Sequence, residues 1–335
     1  YLSFAPYWWP DNSKRNMLPY TWRDGEWNPE CTLYSIESKN NDRTALQILF
    51  DRLTSLALLY LKENDENLLT YITEQISFWF LNEETKMNPH LKFAQVIRGK
   101  QKENVKGLID FKDIYYLLSA LKIIEEDFSR IANFNILDFK YWLIEYYSWL
   151  TNSNIGRKEA SSVNNHTTCY LLQKAAIESY LGMENKLFET FICSFVFINN
   201  NISDNGEQKE ELRRKTSQHY CCFNLQQILN INSIFINSLN LNLFKFYGKR
   251  NNKILNSIIW LFERKDKWNY PQIDYFDVQR FDVLFHTAID QYEKTSDYIQ
   301  KEKIRSKDEI SNNFDYRYGI PLHWKNLIHN NQKNS

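Results

Sequence analysis

The stretch ALQILFDRLTSLALLY at residues 45–60 indicates the fold class. Its apolar side chains recur at steps of three and four residues, at Leu46, Leu49, Leu53, Leu56 and Tyr60. This spacing places them on one face of an α-helix, whereas a half-buried strand would alternate apolar and polar residues. We therefore predict a helix here whose apolar face packs against other helices.

The same period predicts helices along most of the chain. Leu69, Ile72, Ile76 and Trp79 define one, and others are predicted at about 110–124, 138–150, 168–181, 185–198, 217–237, 251–263 and 277–292. Asp110, Asp138 and Asn251 are placed to cap three of them. The 335 residues include only 8 Gly and 7 Pro, too few for the turns of an all-β fold. The sequence predicts an all-α protein of paired antiparallel helices in one domain.

Composition excludes several classes of protein. The 41 basic and 41 acidic residues give a net charge of zero, which argues against a general nucleic-acid coat but leaves room for a local basic cleft. We find no apolar run of the roughly 18 residues that a membrane span needs, and predict none. The five cysteines are scattered without a C-x-x-C pair, so neither a disulfide framework nor a zinc site is predicted.

The first 41 residues are predicted to form an aromatic-rich loop layer. SFAPYWWPD at 3–11 and LPYTWRDGEWNPE at 18–30 supply Tyr7, Trp8, Trp9, Tyr20 and Trp22. Flat aromatic faces stack on sugar rings, and they also bury well. Composition alone favours the second role, a hydrophobic clamp that holds this layer on the helices.

A second loop, MNPHLKFAQVIRG at 87–99, carries Asn88, His90 and Gln95 and is followed by GLID at 107–110. Its side chains can line a polar groove or satisfy the loop's own backbone.

Two segments next to predicted helix starts carry polar groups suited to an anion. In SSVNNHTTCY at 161–170, Asn165 and His166 precede a helix that starts near Thr168, where they can cap it or hold a carboxylate. In EELRRKTSQHYCCFNL at 210–225, Arg213 shares a helical face with Tyr220, seven residues on, and Arg214 lies one position off. The alternative is a surface ion pair between these arginines and Glu210 or Glu211.

Taken in order, these segments resemble the alginate lyase family, polysaccharide lyases that cut mannuronate-rich alginate. KWNYPQIDYFD at 267–277 resembles the family's C-terminal signature, and the likeness covers about residues 1–295. The resemblance implies an incomplete (α/α) toroid of paired helices at 42–300, with 1–41 as its loop layer and 301–335 as an extension. It also implies β-elimination on a 1,4-linked polyuronate, without a metal or organic cofactor.

The resemblance assigns roles to particular residues. Asn165, His166 and an arginine would neutralise the uronate carboxylate, and Tyr220 would act as base, acid or both. Alignment with the family favours Arg214, whereas helical phase favours Arg213; we choose Arg214 and keep Arg213 as a substrate-binding residue. His166 is the alternative base when the C5 proton lies on the opposite face of the ring. Further sugar contacts are predicted at Tyr7, Trp8, Trp9, Tyr20, Asn88, His90 and Gln95.

Two positions depart from the family pattern, and two other functions compete. Cys169 stands where tryptophan is more frequent, and Arg98 where proline is usual. An inactive carbohydrate-binding relative is the first alternative. A glycoside hydrolase ranks last, because Asp110 and Glu178 show no spacing that suggests a facing pair.

The chain begins at Tyr1, so we expect a processed or partial sequence. A polymeric substrate predicts a secreted or periplasmic protein.

Overall fold

A computed structural model describes residues 1–101, 104–247, 251–277 and 279–291, with the backbone alone at 39, 40, 279, 282, 286, 289 and 290. The described chain is mostly helical and divides into two compact units, Tyr1–Ser161 and a second that begins at Ser162. The predicted all-α class is confirmed. The finer division at 1–41, 42–300 and 301–335 stays a prediction, and residues 301–335 lie outside the described residues.

The first unit is built on five α-helices. They are α1 (Asp42–Glu63), α2 (Glu66–Ile76), α3 (Ile114–Ile124), α4 (Ile136–Asn152) and α5 (Asn154–Ala160). Leu46, Leu49, Leu53 and Tyr60 are buried on α1 as the sequence predicts, and this face packs against α2 and α3. Leu56 is half-buried at the edge of that face, where Ala57 is buried instead.

Helix α1 also meets the length and hydropathy criteria for a membrane span. Its best window has a mean hydropathy of 1.2, and 50% of that window is buried inside the protein. Core helices meet the same criteria, and α1 packs against α2 and α3, so this is weak evidence for a span.

A change of helical period follows α2. Residues Ser77–Leu81 form a π-helical turn, which shifts the phase of the following side chains. As a result Phe80 is buried, whereas Trp79, which the 3.6-residue period predicted on the core face, is half-buried.

The predicted caps at Asp110, Asp138 and Asn251 are wrong. Asn135 caps α4 through a bond from the amide of Leu137 at 3.1 Å, so that helix begins before Asp138. Asn252, and not Asn251, likewise caps α11 (Lys253–Arg264). Asp110 lies within a 3₁₀ turn, Val105–Phe111, and its carboxylate is buried.

Asp110 instead anchors the N-terminal loop layer. Its carboxylate accepts hydrogen bonds from Ser3 Oγ at 2.6 Å, Gln95 Nε2 at 2.7 Å and Tyr1 Oη at 3.0 Å. Arg43 of α1 lies 3.4 Å away and compensates the buried charge. One carboxylate therefore links the chain start, the 87–101 loop and α1.

The loop layer itself contains little regular structure. Its strands β1 (Trp8–Trp9) and β2 (Thr21–Trp22) pair antiparallel, with Trp8 opposite Trp22. The amides of Ser3 and Ala5 donate to the carbonyls of Phe93 and Val96, each at 3.1 Å. These bonds attach the layer to the 87–101 loop.

The second unit surrounds a buried central helix. Its helices are α6 (Asn165–Tyr180), α7 (Glu184–Asn201), α8 (Lys209–Leu212), α9 (Ser217–Leu239), α10 (Leu243–Tyr247), α11 and α12 (Gln279–Gln291). Helix α9 is buried on all sides for most of its length and contacts α6, α7, α8, α11 and α12. A helix enclosed in this way holds its side chains in fixed positions.

The segment 267–277 fixes the start of α9. The amide of Ser217 donates to the carbonyl of Pro271 at 3.0 Å, and the amide of Ile273 donates to that of Lys215 at 2.9 Å. The indole of Trp268 donates to Ser217 Oγ at 2.9 Å. The segment therefore holds the turn that precedes Tyr220.

Candidate active site

Tyr220 and Arg214 contact each other directly. Helix α8 ends at Leu212 and α9 begins at Ser217, so the chain turns between them. This turn brings the guanidinium of Arg214 back over Tyr220. Its Nη2 donates to the phenol oxygen at 2.8 Å, and its Cζ lies 3.7 Å from the ring centroid. Arg214 thus contacts Tyr220 through both a hydrogen bond and the ring face.

Arg213 points elsewhere. Its side chain is 71% exposed and pairs with Glu210. The helical-phase argument for Arg213 required one continuous helix through Tyr220, and the break at 213–216 removes that basis. The role of Arg213 in substrate binding stays a prediction.

Asn165 and His166 lie in the first turn of α6, which begins three residues before the predicted Thr168. The helix begins there because Asn164 caps it, accepting from the amide of His166 at 3.1 Å. Both Asn165 and His166 are buried. The positive end of the helix dipole lies at this turn and favours an anion, and the amides of Asn165 and His166 donate to Glu211 and Asn164.

Glu211 ties the start of α6 to α8. It accepts from the backbone amide of Asn165 at 2.6 Å and from Asn165 Nδ2 at 2.7 Å. The residue is only 2% exposed, and burial raises the pKa of its carboxyl to about 7, although the bonds from Asn165 and the charge of Arg214 oppose the rise. Among the described residues, the remaining side-chain atom of Asn165, Oδ1, is buried without a hydrogen-bond partner.

A chain of buried polar groups supports this arrangement. Thr168 Oγ1 donates to Asn224 Oδ1 at 2.8 Å, and Asn224 Nδ2 donates to Gln208 Oε1 at 2.8 Å. Gln208 in turn donates to the carbonyl of Cys221 at 3.1 Å. These bonds connect α6 and α9 to the residue just before α8, and so limit the freedom of both halves of the site.

Sequence reasoning missed His219, whose ring lies beside that of Tyr220, and its partner Arg280. His219 accepts at Nδ1 from Arg280 Nη1 at 2.9 Å, since a guanidinium can only donate. A neutral His219 therefore carries its proton on Nε2. Arg280 is buried on α12, sixty-one residues along the chain, and no local pattern signals that contact. The sequence did place Glu211 near the arginines, but only as a surface ion-pair partner.

The predicted aromatic sugar contacts lie in the first unit. Tyr7, Trp8, Trp9 and Tyr20 are all half-buried. Several rings are already paired with cations: Lys100 Nζ lies 3.9 Å from the Trp8 ring centroid, and Arg98 donates to the hydroxyl of Tyr20 at 3.2 Å. Their contacts with sugar stay predictions.

The three polar residues of the 87–99 loop differ in exposure. Asn88 is exposed and His90 is half-buried between the rings of Phe93 and Trp149. Gln95 is buried, and its amide group donates to Asp110, so the structure gives it a structural task in its own unit.

The two acids considered for hydrolysis are each engaged in buried networks. Glu178 accepts from Lys174 at 2.6 Å and from Thr190 at 2.6 Å. Asp110 holds the N-terminal layer. By contrast, the start of α6, the start of α9 and the turn between α8 and α9 carry an imidazole, a phenol and a guanidinium, and the last two are in contact. Such a set stabilises negative charge and moves a proton, which is the demand of an elimination next to a carboxylate.

Glu211→Gln is expected to change the pH dependence of stability. The pKa of this carboxyl is about 7 in the fold and 4.5 when free, so the folded state binds its proton more tightly than the unfolded state. The resulting stabilisation is fully present below about pH 4.5 and is lost as pH rises through about 7. Between about pH 4.5 and about pH 7, the wild type should therefore lose up to about 3 kcal/mol relative to the glutamine variant, which does not ionise.

Urea unfolding at several pH values measures this difference. Glu210→Gln is the matched control, because that neighbour pairs with Arg213 at the surface and is the smallest of the influences on the pKa of Glu211, so the pH dependence should stay close to that of the wild type. Parallel pH curves for the wild type and Glu211→Gln would contradict the buried, proton-sensitive carboxyl.

Comparison with known proteins agrees with this fold. A family model described as alginate lyase matches residues 1–267. The fold is also that of a crystal structure of an alginate lyase from Bacteroides ovatus, at a TM-score of 0.78 and 28% sequence identity, covering 88% of this chain and 77% of that one. No curated protein matches the chain.

These findings place the chain among the polysaccharide lyases with an incomplete (α/α) toroid fold, and the predicted fold class is confirmed. More narrowly, the chain belongs to the alginate lyase family.

Proposed function

We propose that this protein cleaves a 1,4-linked polyuronate by β-elimination, with alginate rich in mannuronate as the substrate. Tyr220 removes the C5 proton, or protonates the leaving O4, or does both in turn. Arg214, His166 and Asn165 neutralise the carboxylate of the same uronate. The match to the alginate lyase family and the likeness to a crystallised alginate lyase support alginate as the polymer.

The chemistry accounts for the residue types. The C5 proton is weakly acidic, and its removal places negative charge on the adjacent carboxylate, so that charge needs a cation and hydrogen-bond donors. A guanidinium matches two carboxylate oxygens with its planar fork. The electron pair released at C5 forms the C4=C5 double bond and expels O4, which takes up a proton.

The observation that carries the proposal is the contact between Arg214 and Tyr220. To act as a base, Tyr220 must be a phenolate, and a cation 2.8 Å from its oxygen stabilises that form. In the proposal, the same cation also attracts the uronate carboxylate. His166 is the base in the alternative geometry, when the C5 proton lies on the other face of the sugar ring.

Product mass tests the reaction type. An elimination yields a new non-reducing end that is lighter by one water than the end produced by hydrolysis, and it leaves a double bond. We expect mass spectrometry of a polymannuronate digest to find only the lighter products. Products that carry the added water would assign the chain to the hydrolases.

The rate should fall as salt concentration rises. Arg214 donates to Tyr220, and Arg280 donates to His219, whose ring lies 5.2 Å from that of Tyr220, so we expect local positive charge at Tyr220 although the chain is neutral. Attraction of a polyanion to such a site is screened over a Debye length of about 8 Å at physiological ionic strength. We expect kcat/KM for polymannuronate to drop several-fold between about 0.02 and about 0.5 M NaCl, chiefly through KM. A rate independent of salt would argue against a polyanionic substrate.

Because a polymer of this kind lies outside the cell, we place the activity in the periplasm or the secreted fraction.

A further inference from the structure

Glu211 differs from the acids that form surface ion pairs. It is buried, it receives two hydrogen bonds from one asparagine, and it lies three residues before Arg214, whose amide donates to its carbonyl at 3.1 Å. Beside it, Asn165 Oδ1 is buried without a partner among the described residues. An amide oxygen left in this state has lost its hydrogen bonds to water without replacement, which destabilises the fold, so the arrangement calls for a physical explanation.

The protonation of Glu211 determines which end of the Asn165 side chain is paired. An ionised carboxylate only accepts, so Asn165 presents its backbone amide and Nδ2, and Oδ1 is left over. A protonated carboxyl can still accept the backbone amide with one oxygen, but its hydroxyl must donate. Rotating the amide of Asn165 by half a turn brings Oδ1 to that hydroxyl. The unpaired group is then Nδ2, which is a donor.

Protonation also changes the field at Arg214. The positive charge of Arg214 favours the ionised form of Glu211, so the ionised form in turn attracts Arg214 and offsets part of its charge. Loss of the negative charge leaves the guanidinium to act on an anionic ligand and on Tyr220. Both consequences of protonation have the same sign, because each makes the site more attractive to a carboxylate.

We propose that Glu211 takes up one proton when the site binds an anionic uronate, and that it acts as a positioning residue for Asn165 and Arg214. The inference rests on the proposed function. The other charged or titratable groups around it are Glu210 and Arg214 in its own segment, Cys221 on α9, and His166 beside Asn165 on α6. A carboxyl pKa of about 7 allows such an uptake near neutral pH.

Calorimetry can count this proton. Binding of a mannuronate tetrasaccharide to Tyr220→Phe, which prevents turnover, is measured in two buffers of different ionisation enthalpy at about pH 6, 7 and 8. We expect uptake near zero at about pH 6, where Glu211 already holds its proton, rising toward about one proton per bound ligand at about pH 8. Adding Glu211→Gln should abolish this rise, whereas adding Glu210→Gln should leave it in place.

A second measurement does not depend on the folding of the Glu211 variant. Infrared difference spectra of Tyr220→Phe at about pH 8 should show a protonated carboxyl band that grows when the tetrasaccharide binds. Binding without uptake and without this band would overturn the inference. So would the same pH-dependent uptake in the Glu211→Gln variant.

These outcomes separate the two proposals. If wild type produces the unsaturated uronate while Tyr220→Phe binds with no proton uptake, the assignment of Glu211 fails and the lyase proposal stands. If no uronate binds or reacts, both fail.

Discussion

Tyr220→Phe is expected to abolish turnover of polymannuronate, with a loss of at least about 10³-fold in kcat, while folding and oligosaccharide binding stay nearly intact. The phenol oxygen is the atom that Arg214 contacts at 2.8 Å, and phenylalanine removes only that oxygen. The ring is enclosed in α9, so its shape and burial are retained.

Steady-state kinetics together with a binding titration separates chemistry from binding. Tyr247→Phe is a matched control, because its hydroxyl donates to the carbonyl of Phe195 at 3.3 Å, away from α6 and α8. That variant should keep its activity. Full activity in Tyr220→Phe would remove Tyr220 from the reaction.

Arg214→Ala is expected to lower kcat/KM by about 10²- to 10³-fold, whereas Arg213→Ala should change it by less than about twofold. The two arginines are neighbours in sequence, but only Arg214 contacts Tyr220, and Arg213 is 71% exposed in an ion pair with Glu210. In the proposed mechanism, removal of Arg214 takes away the cation that stabilises both a phenolate and the developing charge on the substrate.

The pair of variants also decides between the two assignments made from the sequence. Arg214→Lys adds a finer measurement, since lysine keeps the charge and loses the planar fork, so an intermediate loss is expected. Impairment by Arg213→Ala with Arg214→Ala unaffected would reverse the assignment.

Much of the fold could be predicted because helical periodicity is a local signal. The leucines of α1 gave its position and buried face, and α6, α7 and α9 lie within a few residues of their predicted ranges. The errors arose where a neighbouring residue could serve as the helix cap, or where the helical period changed. Asn135 and Asn252 cap helices that Asp138 and Asn251 were expected to cap, and the π-turn after α2 moved the buried position from Trp79 to Phe80.

The site was only partly accessible from the sequence. The resemblance of sequence segments to the alginate lyase family indicated Tyr220 and Arg214, and the structure brings these two residues into contact. Helical phase pointed to Arg213, because the break between α8 and α9 could not be read from apolar spacing. Glu211 was expected at the surface, since nothing local shows that Asn165, 46 residues earlier, supplies its hydrogen bonds. The contact of Arg280 with His219 could not be predicted for the same reason, since the two residues lie 61 positions apart in the chain.

Ultraviolet absorbance of the purified protein mixed with a panel of polyuronates, polymannuronate first, tests whether the chain is a lyase. The C4=C5 double bond conjugated to the carboxylate absorbs, whereas the intact polymer does not. The lyase assignment predicts absorbance that grows with time on polymannuronate and is absent with Tyr220→Phe. A flat trace across the panel from correctly folded protein would contradict it and favour a carbohydrate-binding protein without turnover.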